Sequence, residues 1–175
     1  KKLGSKIKYN HAVNSINTTS TGLELNFSTK TNNYTVKGIK CVFAVPTTIL
    51  KNIKVNPGLS REKSYCIQNL SYGHVMKIAM QFQKRFWDSN NSIGQRVFTD
   101  TPLRRVYHFS IDQPGPRGIL LSFTSGDDAL KLGSMSENSR MKIAKKSCKN
   151  IWSDSDDYWE NGISKYWNED KWIKA

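Results

Sequence analysis

Several familiar signatures are missing from this chain, and each gap removes a class of protein. No stretch reaches the roughly 18 consecutive apolar residues that a membrane-crossing helix needs, so no span is expected. Neither Gly-x-Gly-x-x-Gly nor Gly-x-x-x-x-Gly-Lys-Ser/Thr occurs, so no glycine-rich phosphate loop is visible. A Gly-x-Ser-x-Gly nucleophile elbow is also missing, and no nucleophile–histidine–acid set follows from spacing. Cysteine is scarce: Cys41, Cys66 and Cys148 are odd in number and widely spaced, which signals neither a disulfide framework nor a zinc site. His11, His74 and His108 stand apart with no Glu or Cys at ligand spacing, so they read as structural and no metal is expected. The opening Lys1-Lys2-Leu3-Gly4 leads into polar sequence without a hydrophobic signal region, and the expected location is cytoplasmic. No internal repeat or low-complexity linker breaks the chain.

What is present suits a globular domain of ordinary size. The 175 residues are 37% apolar and 23% charged, enough apolar material for a real core. The net charge of +13 first suggests nucleic acid. The cations are scattered, however. The largest clusters, Arg104-Arg105 and Lys145-Lys146, do not sit in basic helices with interleaved aromatics. A solvated basic face, or a field that attracts anionic substrates, fits that pattern better than a nucleic-acid interface.

Periodicity gives a mixed β-sheet flanked by helices, an α+β or α/β fold. Leu23, Leu25 and Phe27 alternate with polar residues as in a half-buried strand, and Thr31-Asn32-Asn33 marks the following turn. Cys41-Val42-Phe43-Ala44-Val45, ended by Pro46, has the continuous apolar character of a strand buried on both faces, with Cys41 a small buried residue. A short helix is expected over residues 47–53, and a second, capped by Ser60, runs to about Asn69. Met76, Ile78, Met80 and Phe82 then fall on one face of a strand, with Val75, Lys77, Ala79 and Gln81 on the other. A lysine in mid-strand among apolar neighbours either snorkels to water or has a chemical task. Further strands are expected near residues 104–109 and 118–124. Helices should start at Gly126-Asp127-Asp128 and after Ser136, the latter with Met141, Ala144, Cys148 and Ile151 as its apolar stripe. Ser153 to Asp157 reads as a polar loop, and Ile163 to Trp167 as a last strand.

Five stretches, in order and covering nearly the whole chain, resemble the flavin-containing amine oxidases, the family of monoamine oxidases and L-amino acid oxidases. They are Val42 to Thr48 with Ile53 to Pro57; His74-Val75-Met76-Lys77-Ile78 with Arg85-Phe86-Trp87; Thr99-Asp100-Thr101-Pro102-Leu103-Arg104; Gly118 to Ala129; and Trp167-Asn168-Glu169-Asp170. The resemblance implies an internal piece of such an enzyme. Residues 1–69 would be part of an FAD-binding domain lacking its dinucleotide fingerprint, and residues 70–175 a substrate-binding domain. It implies FAD as cofactor, a small amine or amino-acid substrate and dioxygen as partners, and room for a homodimer. The complete FAD site would not lie within this chain, which is expected to be inactive when isolated.

Site residues follow from the same resemblance. Lys77 matches the lysine that holds a water against flavin N5. Hydride would pass from the carbon bearing the amine to that N5, giving an imine for water to hydrolyse and, with dioxygen, hydrogen peroxide. Val13 lies where the family uses backbone groups to hold the adenine, or is a plain strand valine. Trp167 matches a tryptophan beside the flavin and substrate cavity, or is ordinary core packing. Phe123 stands where many L-amino acid oxidases have a tyrosine that anchors the substrate carboxylate, and it cannot make that hydrogen bond. Ser125 replaces a position that is often large in bacterial relatives. No arginine for a substrate carboxylate is identifiable. An L-amino acid is placed slightly ahead of a carboxylate-free amine, on the Gly126-Asp127-Asp128-Ala129 context. A non-enzymatic basic binding module and the remnant of a split gene are the alternatives.

Overall fold

The computed structural model describes residues 4–88 and 96–174; Lys1 to Leu3, part of the signal-region reading, lie outside these. The chain divides into two compact units. The first runs through Ser71 and takes in Trp172–Lys174; the second is Tyr72–Lys171.

In the first unit, β1 (Ala12–Thr19), β2 (Gly22–Ser28) and β3 (Asn33–Gly38) form an antiparallel meander. Two helices, α1 (Thr47–Leu50) and α2 (Arg61–Asn69), flank a short strand, β4 (Lys54–Asn56). β4 adds parallel to β1, giving the order β3-β2-β1-β4. Ser60 caps α2 as its sequence suggests, accepting a hydrogen bond from the Lys63 amide. The Thr48 hydroxyl donates to the Ile173 carbonyl and ties the 172–174 segment to this unit.

The apolar run Cys41–Val45 departs from expectation. It forms no ladder, Val42 is 87% exposed, and Cys41 is half-buried rather than buried. A strand enclosed on both faces needs a paired neighbour on each side and cover above and below. No described strand of this unit pairs with it, so apolarity alone does not make it a strand. In β2 the expected alternation is also flattened: all seven residues are half-buried.

The second unit holds the main core. Its strands are β5 (Val75–Phe82), β6 (Arg96–Phe98), β7 (Arg105–His108) and β8 (Gly118–Ser125). The helices α3 (Gly126–Gly133), α4 (Glu137–Ile151) and α5 (Ser155–Tyr158) follow, and β9 (Trp159–Tyr166) completes the sheet. All neighbours pair antiparallel in the order β6-β7-β8-β5-β9. So the fold is mixed, but with two sheets rather than one, and its parallel pairing is β1 with β4.

The alternation in β5 decides which face is core. Met76, Ile78, Met80 and Phe82 are all fully buried, as are Ser122 and Thr124 of β8, with Leu120 almost so. Ala129 and Leu132 of α3 and Ala144 and Cys148 of α4 close over this inner face. In α4 the expected stripe is present but shifted: Met141 and Ile151 are half-buried, while Arg140 and Ser147 are buried. Arg140 is kept in place by donating to the Leu132 and Gly133 carbonyls, at 2.8 and 2.6 Å. Two boundaries also move. The expected loop at 153–157 gives way to α5 at Ser155, and the last strand starts at Trp159 rather than Ile163.

Candidate functional site

The face of the five-stranded sheet opposite the core carries Lys77 and Phe123, two of the expected site residues. Because side chains alternate, Lys77 and its strand mates Val75 and Ala79 point away from the helices. Register places neighbours beside them: Lys77 is the Cα partner of Phe123 on β8 and of Lys165 on β9, and Phe123 is the partner of Arg105 on β7. A row Arg105–Phe123–Lys77–Lys165 therefore crosses four strands. Ile119 and Leu121 on β8 extend the apolar part of this face, and Ile163 on β9 is 68% exposed.

Lys77 is half-buried rather than enclosed. Its Nζ stands 5.9 Å from the Phe123 ring centroid, within cation–π range. Trp167, half-buried, opens the short 3-10 helix Trp167–Glu169 that follows β9. The Lys165 ammonium stacks 5.5 Å from its ring and also pairs with Asp170 at 2.7 Å. The next residue, Asn168, accepts a hydrogen bond from the Val75 amide, which fixes the turn after β9 against the start of the lysine strand.

Phe123 and Ser125 open onto a groove of about 710 Å³ at the β7–β8–α3 end of the sheet. Phe98, Thr99, Asp100, Arg104, Arg105 and Lys131 share its lining with the α3 acids Asp127 and Asp128. Gly126 turns the chain from strand into helix with φ 66°, a conformation that a β-carbon would resist. Asp127 and Asp128 then sit in the first turn of α3, where the helix dipole favours negative charge. Arg104 ion-pairs with Asp128 at 2.5 Å.

The structure thus brings Lys77, Phe123, Ser125 and Trp167 into one unit, with Lys77 and Phe123 in direct register. Val13 is in the other unit. It is a half-buried residue of β1, next to a register shift between Val13 and Ser15. Sequence reasoning missed Arg105. The doublet Arg104-Arg105 is visible, but not that both side chains reach one groove.

Residues 1–175 match the model of the flavin containing amine oxidoreductase family, and the chain belongs to that family. It is 26% identical over 142 residues to the flavin-dependent L-tryptophan oxidase RebO of Lentzea aerocolonigenes, covering 79% of this chain and 30% of that protein. It is 26% identical over 130 residues to an L-amino-acid oxidase of Demansia vestigiata, covering 74% and 25%. In three dimensions it is similar to putrescine oxidase bound to putrescine, with a TM-score of 0.87 at 19% identity over 99% of this chain and 38% of that one. The structural likeness concerns the fold, which is that of the flavin-linked amine oxidases. The chain spans between about a quarter and two-fifths of the length of these relatives.

Proposed function

We propose that this chain supplies the substrate-binding sheet, and part of the FAD-binding domain, of an FAD-dependent oxidase that deaminates an L-amino acid or amine. The division after Ser71 supports a boundary near residue 70 between the two parts. The observation that carries the reading is Lys77: a mid-strand ammonium, half-buried, with Val75, Ala79, Leu121 and Phe123 as its apolar neighbours on the sheet face. These apolar side chains beside the Lys77 ammonium, with Arg105 and Lys165 further along the same row, suit a planar ring system with a polar edge.

Bound FAD would supply the acceptor for hydride from the carbon that bears the amine, with dioxygen as the final electron acceptor, reduced to hydrogen peroxide. The chain's own part is positional. Lys77 has three N–H donors and no acceptor, so it orients a water by presenting charge-assisted hydrogen bonds to its oxygen. That water is then placed for proton transfer or for hydrolysis of the imine product. Phe123 and Trp167 restrict the approach of the amine to one plane, and Ser125 leaves room where a larger side chain would fill the groove. Val13, at the register shift of β1, offers backbone groups to the adenine. The lack of a Gly-x-Gly-x-x-Gly segment in these 175 residues supports weak FAD binding, and no turnover, by the chain alone.

The test is reductive titration of the flavin-loaded enzyme containing this chain, without oxygen, against a panel of amines and L-amino acids. Bleaching of the flavin band by a member of the panel, and one hydrogen peroxide per amine once air is admitted, is the expected result. A flavin that stays oxidised throughout the panel would refute the reading. For the 175-residue chain alone, a stoichiometric flavin band in the visible spectrum would contradict the proposed weak binding.

A further inference from the structure

Two lysines stand directly opposite each other on the outer face of the sheet. Lys77 of β5 and Lys165 of β9 are Cα partners in an antiparallel pair, so their side chains leave the same face side by side. Like charges in that arrangement repel, because the β-carbons are only about 5 Å apart. Arg105 is a more distant cation: it lies two strands from Lys77, about 10 Å away, with Phe123 between them. The ladder offers Lys77 no acid, since its Cα partner on the other side is Phe123.

The two side chains nevertheless part. Lys77 reaches toward β8, with Nζ 5.9 Å from the Phe123 centroid. Lys165 turns along its own strand instead, where its Nζ lies 2.7 Å from the Asp170 carboxylate and 5.5 Å from the Trp167 centroid. Asp170 directly follows the 3-10 helix Trp167–Glu169, and its amide donates to the Trp167 carbonyl at 3.1 Å. Its side chain is 22% exposed against 49% for Lys165, so the acid is the more fixed partner. Asn168 accepts from the Val75 amide and secures the same turn against β5, two residues before Lys77. Asp170 thus draws off the cation that strand register puts beside Lys77.

We propose that Asp170 is a positioning residue for Lys77: by holding Lys165, it keeps a second ammonium away from the one that serves the redox step. This rests on the reading of Lys77 as the group that orients a water. With Lys165 held, the N–H donors of Lys77 stay directed at that water. Without Asp170, the released ammonium returns opposite Lys77, and mutual repulsion displaces Lys77 from its place. An ordinary exposed ion pair would add a little stability and would not couple to Lys77.

Two measurements test it, the first without flavin. The 175-residue chain is treated with a limiting amount of the N-hydroxysuccinimide ester of acetic acid, and acetylation at Lys77 is followed by peptide mass spectrometry. Only an uncharged amine is acylated, and a cation close by favours that form. Lys77 should therefore react about three- to fivefold faster in Asp170→Asn, the upper range for directly opposed like charges. In Asp170→Asn/Lys165→Met the rate should return to that of Lys165→Met, which a merely loosened turn would not allow. Circular dichroism of each variant establishes that the fold is kept. In the complete flavin-loaded enzyme, the half-reaction that Lys77→Met slows should also slow about three- to fivefold in Asp170→Asn. There too the double variant should match Lys165→Met. Unchanged acetylation of Lys77 in Asp170→Asn would overturn the proposal. So would an effect that persists without Lys165, or flavin kinetics indifferent to Asp170 in an enzyme that depends on Lys77. If neither half-reaction responds to Lys77→Met while the acetylation pattern holds, the redox reading of Lys77 fails and the hold of Asp170 on Lys165 stands.

Discussion

Cys148 shows how burial sets the behaviour of a single group. Its Sγ lies 3.7 Å from Met80 Sδ in the inner core. Burial first, and the nearby Asp156 carboxylate second, push the thiol from an ordinary value near 9 up to about 12. The folded state therefore holds its proton where the unfolded chain has lost it. The stability linked to this group is complete below pH 9 and is lost as pH rises towards 12. Urea midpoints of the wild-type chain should fall across that window, and those of Cys148→Ala should fall less. At neutral pH a thiol reagent should label exposed Cys66 long before Cys148. Gly133 is set by space rather than charge: a β-carbon there would stand 2.5 Å from the Tyr166 ring. Gly133→Ala should cost about 1–3 kcal/mol in urea unfolding. Lys77 was legible at this scale because period-two alternation puts it opposite the apolar stripe of its own strand. Arg105 was not, because the left-handed turn at Arg104 is a backbone property that an arginine side chain does not announce.

At the scale of elements, β5 and α4 follow directly from pattern and cap. Met76, Ile78, Met80 and Phe82 of β5 recur every second position and are all fully buried. Ile78→Ala, in the middle of that strand, should lower unfolding free energy by about 2–5 kcal/mol, read from equilibrium denaturation. Ser136 caps α4 by accepting from the Ser139 amide, and Ser136→Ala should cost about 1 kcal/mol by the same measurement. The Cys41–Val45 segment shows where pattern stops informing. Its composition is that of an interior strand, but pairing is a property of neighbours, and no described strand pairs with it. Short strands such as β4 and β6, three residues each, carry too few positions for alternation to register.

For the whole molecule, the consequential feature is the difference between the two faces of the five-stranded sheet. Helices α3 and α4 cover one face. The other presents Arg105, Phe123, Lys77 and Lys165 in a single row. Family membership was legible in five ordered stretches, and the mixed fold in the alternation of strand and helix patterns. That the chain builds two sheets was not legible, since sheet membership depends on long-range register. Three of the 27 basic residues behind the net charge of +13, Arg105, Lys77 and Lys165, share this row.

The Lys77 ammonium is proposed to serve the redox step from this face. Stopped-flow kinetics of the complete flavin-loaded enzyme, wild type against Lys77→Met, test it most directly. In Lys77→Met, FAD should stay bound while flavin reduction or reoxidation slows by about tenfold or more, the scale of a lost charge-assisted contact. Unchanged rates for both half-reactions would contradict it.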